Sequence, residues 1–394
     1  MKRLIAILIL MAAAVSAQDL EIFGYLESQF MGADIEDTFI QLQSNKLRLD
    51  LKADLSDQLT VAANYNWTTY HGKTQWHIPD YLPGNVRSEI PMGLDAFLIL
   101  PFEDTQVLDN AFIKWSLPKC DLTLGKQQLS FGAGYAWNPT DLLNTKDLLD
   151  PTYEQPGHNA IRVDVPLADR VNLSIVYAPE EEWEQSAKLF NLKVGISRFD
   201  LSIMAVEKNW MSHDYTQFNN NLLSPDFITV NEKRQMIGGS LVGELFSWGV
   251  WTEAGYNNME ISDDFTEWLV GIDHTFDFQT YVMFEYYENT AGKSKSDEYN
   301  LNDWMRYLAA EQRALCQDQA YIYVQHPITD LIQLGLSSII SISDGSVVFL
   351  PTLNWTPLEN MEILAYLNMY QGDEMDVFNS KLGNGGLVRA RVYF

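Results

Sequence analysis

The chain has 394 residues, a formal charge of −27 at pH 7, 46% hydrophobic residues and 12% aromatic ones. An acidic surface of that size repels nucleic acid, and so much apolar and aromatic content excludes a disordered chain. Two cysteines, Cys120 and Cys316, are too few for a disulfide scaffold.

The first residues, MKRLIAILILMAAAVSAQ, read as a secretory signal peptide. Lys2 and Arg3 form the positive start, Leu4 to Val15 an apolar core, and Val15-Ser16-Ala17 a small-residue cleavage site. Removing 1–17 takes the charge to −29 and leaves 18–394, which has no linker or compositional break and reads as one domain. The apolar core is too short to span a bilayer, and no later stretch reaches the roughly 18 apolar residues of a membrane helix.

Period-two alternation then runs through the chain. In KLRLDLKAD, Leu47, Leu49, Leu51 and Ala53 share one face, while Arg48, Asp50, Lys52 and Asp54 share the other. A polar turn at Ser56-Asp57 leads to LTVAANYNW, with Leu59, Val61, Ala63, Tyr65 and Trp67 on its apolar face. The same hairpin recurs around turns near Lys119, Asp169, Ser197, Ser247, Asp277, Thr329 and Glu359. With EIFGYLESQF at the start and LVRARVYF at the end, about 18 strands are predicted, with 16 as the alternative. The segment 121–131 in particular reads ambiguously in phase, around Gly125-Lys126.

Every second connection is a tight turn, and those between are mostly longer, the largest through 71–107, 132–158, 208–233 and 290–317; only that at Ser343-Asp344-Gly345 is short. Short turns at one end and long loops at the other predict an all-β fold, a transmembrane antiparallel up-and-down barrel, because a soluble sandwich has no reason to sort its loops. Aromatics on the apolar face form two bands. Trp67, Tyr177, Tyr256, Trp268 and Tyr286 sit near the long-loop ends, and Trp115, Phe199, Phe246, Phe276, Trp355 and Phe394 near the short-turn ends. Such bands are what two membrane interfaces select.

The signal peptide, the sorted hairpins and the last strand closing on Phe394 resemble those of Gram-negative outer-membrane porins and porin-like barrels, over the whole of 18–394. A narrower resemblance lies in LGKQQLSFGAGYAWNPTDLLNTKDLLDPTYEQPGHNAIRVD, which is similar to a segment of porin-like proteins. The resemblance implies an outer-membrane location and outer-membrane lipid and lipopolysaccharide as surroundings. It also implies reading of Val388, Ala390, Val392 and Phe394 by the barrel-assembly machinery, and a homotrimer.

On this reading the polar face is the channel wall. Arg48, Lys52, Lys114, Arg162, Lys193, Arg389 and Arg391 point inward, with Asp50, Asp164, Asp200, Glu253, Asp273, Glu285 and Glu362. Opposed charge rows create a transverse field that sorts solutes by sign and size; the plainer alternative is that they pair across neighbouring strands. The loop 132–158 is the candidate constriction, with a short helix capped by Thr140 or Asp141, and with Asp141, Lys146, Asp147, Asp150 and Glu154 lining the eyelet. The alternative is a loop packed over the rim. LNDWMRYLAAEQRALC (301–316) carries Trp304, Leu308 and Leu315 on one helical face and reads as an external helix, with a plug as the alternative. The acidic run PEEEWEQ (179–185) reads as solvated charge, with divalent-cation binding at the lipopolysaccharide surface as the other reading.

No catalytic, cofactor or metal site is expected. The six histidines are scattered, and His71 and His77 have no metal-ligand spacing. Cys120 in a periplasmic turn and Cys316 in an external loop would stand a membrane thickness apart. The expected function is a porin-like channel for passive diffusion of small hydrophilic solutes. The alternatives are a substrate-selective or polysaccharide-export barrel, or a non-transport barrel, either a hydrolase or a scaffold for a partner protein.

Overall fold

The computed structural model describes residues 19–35, 38–181, 183–219 and 226–394. The expected signal peptide, 1–17, lies outside these residues. Eighteen antiparallel strands form one closed sheet in which each pairs with its sequence neighbours. β1 (Asp19–Ile35) lies between β2 (Thr38–Ser56) and the last strand, β20 (Asn384–Tyr393). Closure sets Tyr25 opposite Tyr393, Ser28 opposite Ala390 and Asp34 opposite Asn384. Backbone bonds between Gly24 and Phe394, 3.1 Å in each direction, extend that seam by one residue. Two short strands, β4 (Gln75–His77) and β5 (Ile99–Pro101), pair with each other in the loop after β3 (Leu59–Gly72).

The eight predicted tight turns fall where expected: Asp54 and Ser56 give way to Leu59, Leu117 pairs with Cys120, and Ile196 with Phe199. At the other end the connections differ from expectation in two places. β1 and β2 stay paired as far as Ile35 opposite Thr38, so their connection is short as well. The stretch 208–233 is largely strand: β11 (Phe199–Asn219) and β12 (Asp226–Leu245) stay paired far past Glu207. A membrane strand needs only about 9–11 residues, so these two project beyond the lipid belt as a ribbon. Alternation continues there, but with polar residues on both faces.

The wall alternates as lipid outside requires. In β13 (Trp248–Met259), Trp251, Glu253 and Asn257 are buried inward, while Thr252, Ala254 and Tyr256 are exposed outward. In β14 (Phe265–Thr275), Glu267 and Leu269 face in, and Val270 and Ile272 face out. β15 (Tyr281–Asn289) buries Met283, Glu285 and Tyr287 and exposes Phe284. Val388, Val392 and Phe394 are exposed on the outer side of the closing seam, whereas Arg389 is buried within. Trp67, Trp115, Phe246, Tyr256 and Trp355 are likewise exposed on the outside.

The phase ambiguity near Gly125 has a physical cause. Gly125 has φ +120°, and a Cβ there would lie 2.3 Å from the Ala111 carbonyl oxygen, so β7 (Cys120–Gln127) bends where its alternation blurs.

The apolar belt gives a direct test. Val270 lies midway along β14 on the lipid side; Val270→Arg should destabilise the folded barrel by about 2–4 kcal/mol, read from urea unfolding in phospholipid vesicles.

Candidate functional site

The connection from β7 to β8 (His158–Ala168) returns into the barrel and crosses it as a strap. Its first limb is fastened to the wall at β13–β15 by two carboxylates. Glu253 accepts from the backbone N–H of Gly134 (3.1 Å), Ala133 (2.5 Å) and Thr140 (2.6 Å), and from the Thr140 hydroxyl (2.7 Å). Glu285 accepts from the N–H of Tyr135 (2.8 Å), Ala136 (3.0 Å) and Trp137 (3.0 Å), and from the Trp251 indole (2.7 Å). Both carboxylates are almost fully buried, at 1% and 0% exposure. Buried backbone donors need acceptors, and these side chains supply them in place of water.

The sequence of this limb suits the close approach. A Cβ on Gly134 would meet the Trp137 carbonyl oxygen at 1.8 Å and a Leu269 methyl at 2.5 Å. Trp137 stacks on Tyr287 with centroids 5.0 Å apart, and Tyr135 stacks on Tyr321 at 5.9 Å. No helix forms at 137–141. Asp141 instead accepts from the N–H of Phe131, Leu143 and Asn144 and from the Asn144 amide. Pro139 removes one donor, and the Glu285 and Glu253 carboxylates hold the N–H groups of Trp137 and Thr140 on either side of it, so this stretch follows the wall.

The second limb ends against the opposite wall. Glu154 meets Lys46 at 2.7 Å, Arg391 at 2.9 Å, Arg48 at 3.3 Å and the Tyr25 hydroxyl at 2.7 Å. β1, β2 and β20 converge at the closing seam, so their inward side chains form one patch. Behind it, Arg391 meets Glu27 at 2.6 Å, Arg389 meets Glu362 at 2.6 Å, and Arg48 meets Asp50 at 2.9 Å. Burial alone would raise the Glu154 pKa, but the Lys46 ammonium, the Tyr25 hydroxyl and the Arg391 guanidinium together hold it down at about 2.

The other loop residues shape the strap. Lys146 donates to the carbonyls of Gly134 (2.9 Å) and Tyr135 (2.7 Å), Asp147 accepts from the Leu149 N–H, and Asp150 caps Thr152. Lower in the lumen the wall charges occur as pairs: Lys114 with Asp121 (2.8 Å), Arg162 with Asp164 (2.8 Å), Lys193 with Asp200 (3.7 Å), and Lys52 with Glu21 (3.6 Å). Asp273 accepts from the Tyr281 hydroxyl at 2.8 Å.

From outside, the loop 290–317 packs down onto the strap. Its helix α1 (Leu301–Leu308) starts on a capping box between Asn300 and Asp303 and buries Leu301, Trp304 and Met305. Leu308 is exposed, so the apolar face is narrower than the sequence suggests. Arg313 bonds the carbonyl oxygens of Pro139 and Asp141 in the strap and meets Glu267 on β14 at 3.1 Å. Arg234 of β12 meets Glu267 at 3.1 Å, and the Tyr287 hydroxyl donates to it at 2.7 Å. The strap thereby borders a cavity of about 800 Å³ lined by His158, Lys208, Trp210, Arg234 and Arg313. A smaller one of about 220 Å³ lies between strap and outer loop.

Tyr25, Glu27 and Lys46 are not singled out above, although they lie within EIFGYLESQF and KLRLDLKAD and Lys46 shares the parity of Arg48. Arg313 lies in the stretch that reads as helix up to 316, but the helix stops at Leu308, and Arg313 and the buried Leu315 follow in irregular chain. Cys120 and Cys316 are both free, the latter fully buried.

No protein family matches the sequence, and no curated protein does. Solved structures do match in shape. Acinetobacter baumannii OccAB1 superposes with a TM-score of 0.59 at 8% identity, covering 96% of this chain and 97% of that one. Pseudomonas aeruginosa OccK5 (OpdH) gives 0.58 at 6% identity, over 96% and 98%. A. baumannii OccAB4 gives 0.57 at 9% identity, over 96% and 98%. The fold is that of an outer-membrane porin. At such identity the likeness speaks for architecture alone: eighteen strands closed around a lumen.

Two expectations concern the strap. Glu285→Ala leaves three buried backbone donors and an indole without an acceptor, and should cost about 3 kcal/mol or more, with Glu285→Gln costing less; urea midpoints of the folded barrel measure both. The Glu154 carboxyl is depressed, so its fastening is complete above its unfolded value of about 4.3 and fades as pH falls towards about 2. Single-channel current should be steady from pH 7 to 5 and become noisier below 4, and Glu154→Gln should bring that noise to pH 7.

Proposed function

We propose that the chain is an outer-membrane channel through which small hydrophilic solutes diffuse passively, exported on a signal peptide, residues 1–17, that is then removed. The observation that carries this reading is the strap: one continuous limb of chain, fastened at both ends to opposite walls of a closed barrel, narrows the lumen without belonging to the wall. The name-bearing structures of the same fold are porins, which fits a passive role.

In this reading Lys52, Lys114, Arg162, Asp164, Lys193 and Asp273 line the path, and solutes pass between their paired charges, while Arg48, Asp50, Arg389 and Arg391 face the same lumen from the seam patch that holds the strap. Glu253 and Glu285 face the same lumen but act on it indirectly, by fixing where the strap lies. Asp141, Lys146, Asp147 and Asp150 fix the shape of the strap, and Glu154 its distance from the seam. Selection then follows aperture and local field, with both signs of charge present along the wall. Val388, Ala390, Val392 and Phe394 serve as the recognition strand during assembly.

A second reading, gated passage, is favoured by Arg313, which ties the outer loop to both strap and wall. Movement of 301–317 would then admit solute from outside.

Planar-bilayer recording of the purified barrel tests the channel reading. Ohmic steps of small amplitude in potassium chloride are expected, and silence at every salt concentration would overturn it. Arg313→Ala should raise the open fraction if the outer loop gates, and leave it unchanged if passage is simply passive.

A further inference from the structure

The outer surface of the barrel is not uniform. Between β9 (Val171–Ala178), β10 (Ala187–Ile196), β11 and β12 lies a groove of about 580 Å³. Its outward side chains are Ile175, Phe190, Ala205 and Ile237, all apolar, and Ile237 is 69% exposed. An apolar groove on a membrane wall needs no special occupant by itself. Its upper end, however, carries charge. Lys188 and Lys233 both meet Glu207, at 2.9 and 2.8 Å, and the Gln235 amide donates to the same carboxylate at 2.8 Å.

These four side chains have the outward parity of their strands, opposite to Lys208 and Arg234, which line the inner cavity. Glu207 stands eight positions beyond Phe199 at the turn end of β11, a rise of ~20–26 Å on a tilted strand. That is the level at which a ~25 Å apolar belt ends. Trp183 lies there too, stacked on Tyr177 at 5.0 Å, with the Lys188 ammonium 4.5 Å over its ring. Ring pairs of this kind mark the headgroup level.

Two ammonium groups share one carboxylate, so the cluster carries a net positive charge on a protein whose total is −27. Each ammonium has three donors and Glu207 is one acceptor shared by both, which leaves donors for a second anion. A phosphate could bridge both lysines while an attached acyl chain lies down the groove over Phe190 and Ile237. The cluster is on the long-loop side, which faces the outer leaflet, and Glu180, Glu181 and Glu184 stand in the loop next to it. A ligand must therefore be anchored from the membrane side and hold its phosphate at the interface, where the lysines are.

We propose that this groove binds the phosphorylated glycolipid of the outer leaflet, the lipid A part of lipopolysaccharide, with one phosphate between Lys188 and Lys233 and one acyl chain along Ile175, Phe190, Ala205 and Ile237. The site is independent of passage through the lumen.

Native mass spectrometry of the folded, detergent-purified full chain, titrated with bisphosphorylated hexa-acyl lipid A or with phosphatidylglycerol, tests it. One lipid A adduct is expected to saturate first, at least tenfold tighter than phosphatidylglycerol. Lys188→Gln with Lys233→Gln should weaken it at least tenfold, and Lys119→Gln at the far end of the barrel should not. Ala205→Trp fills the groove without touching the charges and should weaken it likewise, which keeps the test valid if the double variant fails to fold. Equal binding of the two lipids, or undiminished lipid A binding by both altered proteins, would overturn the proposal.

Discussion

A polypeptide segment that enters a barrel lumen has to satisfy its own backbone, and Glu253 and Glu285 are how this one does so. Between them the two carboxylates accept eight donors, six of them backbone N–H groups of the strap. Each such donor left unpaired in a dry interior costs about 1–3 kcal/mol, so an apolar residue at either position would expel the strap. A buried carboxylate is itself costly unless it is fully hydrogen-bonded. The two requirements cancel only when strap and wall are together, which makes the placement of the strap a property of the assembled barrel and of neither part alone.

The remaining contacts extend that arrangement outward. Trp137 and Tyr135 can stack on Tyr287 and Tyr321 because their backbone is already pinned beside them. With the strap in position, Pro139 and Asp141 present carbonyl oxygens to Arg313, and the outer loop acquires an anchor. Glu267 then sits between Arg313, Arg234 and the Tyr287 hydroxyl, linking the wall, the strap and the loop in one buried network. Charge-assisted networks of this kind hold geometry more than they add stability. Here the geometry held is the position of the strap across the lumen.

Most of the architecture was legible in the sequence because lipid and water impose period-two alternation on every strand that touches both. The hairpin turns, the strand number and the outward aromatics all follow from that single rule. It fails in three kinds of place. Around Gly125 the backbone bends and the alternation breaks. In 208–233 the strands leave the membrane, so both faces become polar and the stretch reads as loop although pairing continues from Lys208–Arg234 up to Asp214–Ile228. At 137–141 a cap-like Asn-Pro-Thr-Asp text suggests a helix, but the Trp137 and Thr140 N–H groups are held by Glu285 and Glu253, on strands more than a hundred residues away, and the chain follows the wall instead.

The same limit governs the charges. Alternation assigns a side chain to a face, and on that evidence Arg162, Glu253 and Arg391 are equivalent: all point inward. What separates them is whether the returning chain reaches them. Arg162 meets only Asp164 of its own strand and stays half-exposed to the lumen. Arg391 shares Glu154 of the strap, and Glu253 is buried beneath it. Whether a wall charge meets solute or fastens protein is therefore decided by a contact between distant segments. In a barrel with a strap, the inward face has two chemical classes, and the buried members must be acceptors where the strap offers N–H groups. That is why the carboxylates of β13 and β15 are drawn away from solvent under the strap, while Glu267 of β14 is buried between Arg234 and Arg313, and Arg48 and Arg391 at the seam meet Glu154 at the strap's far end.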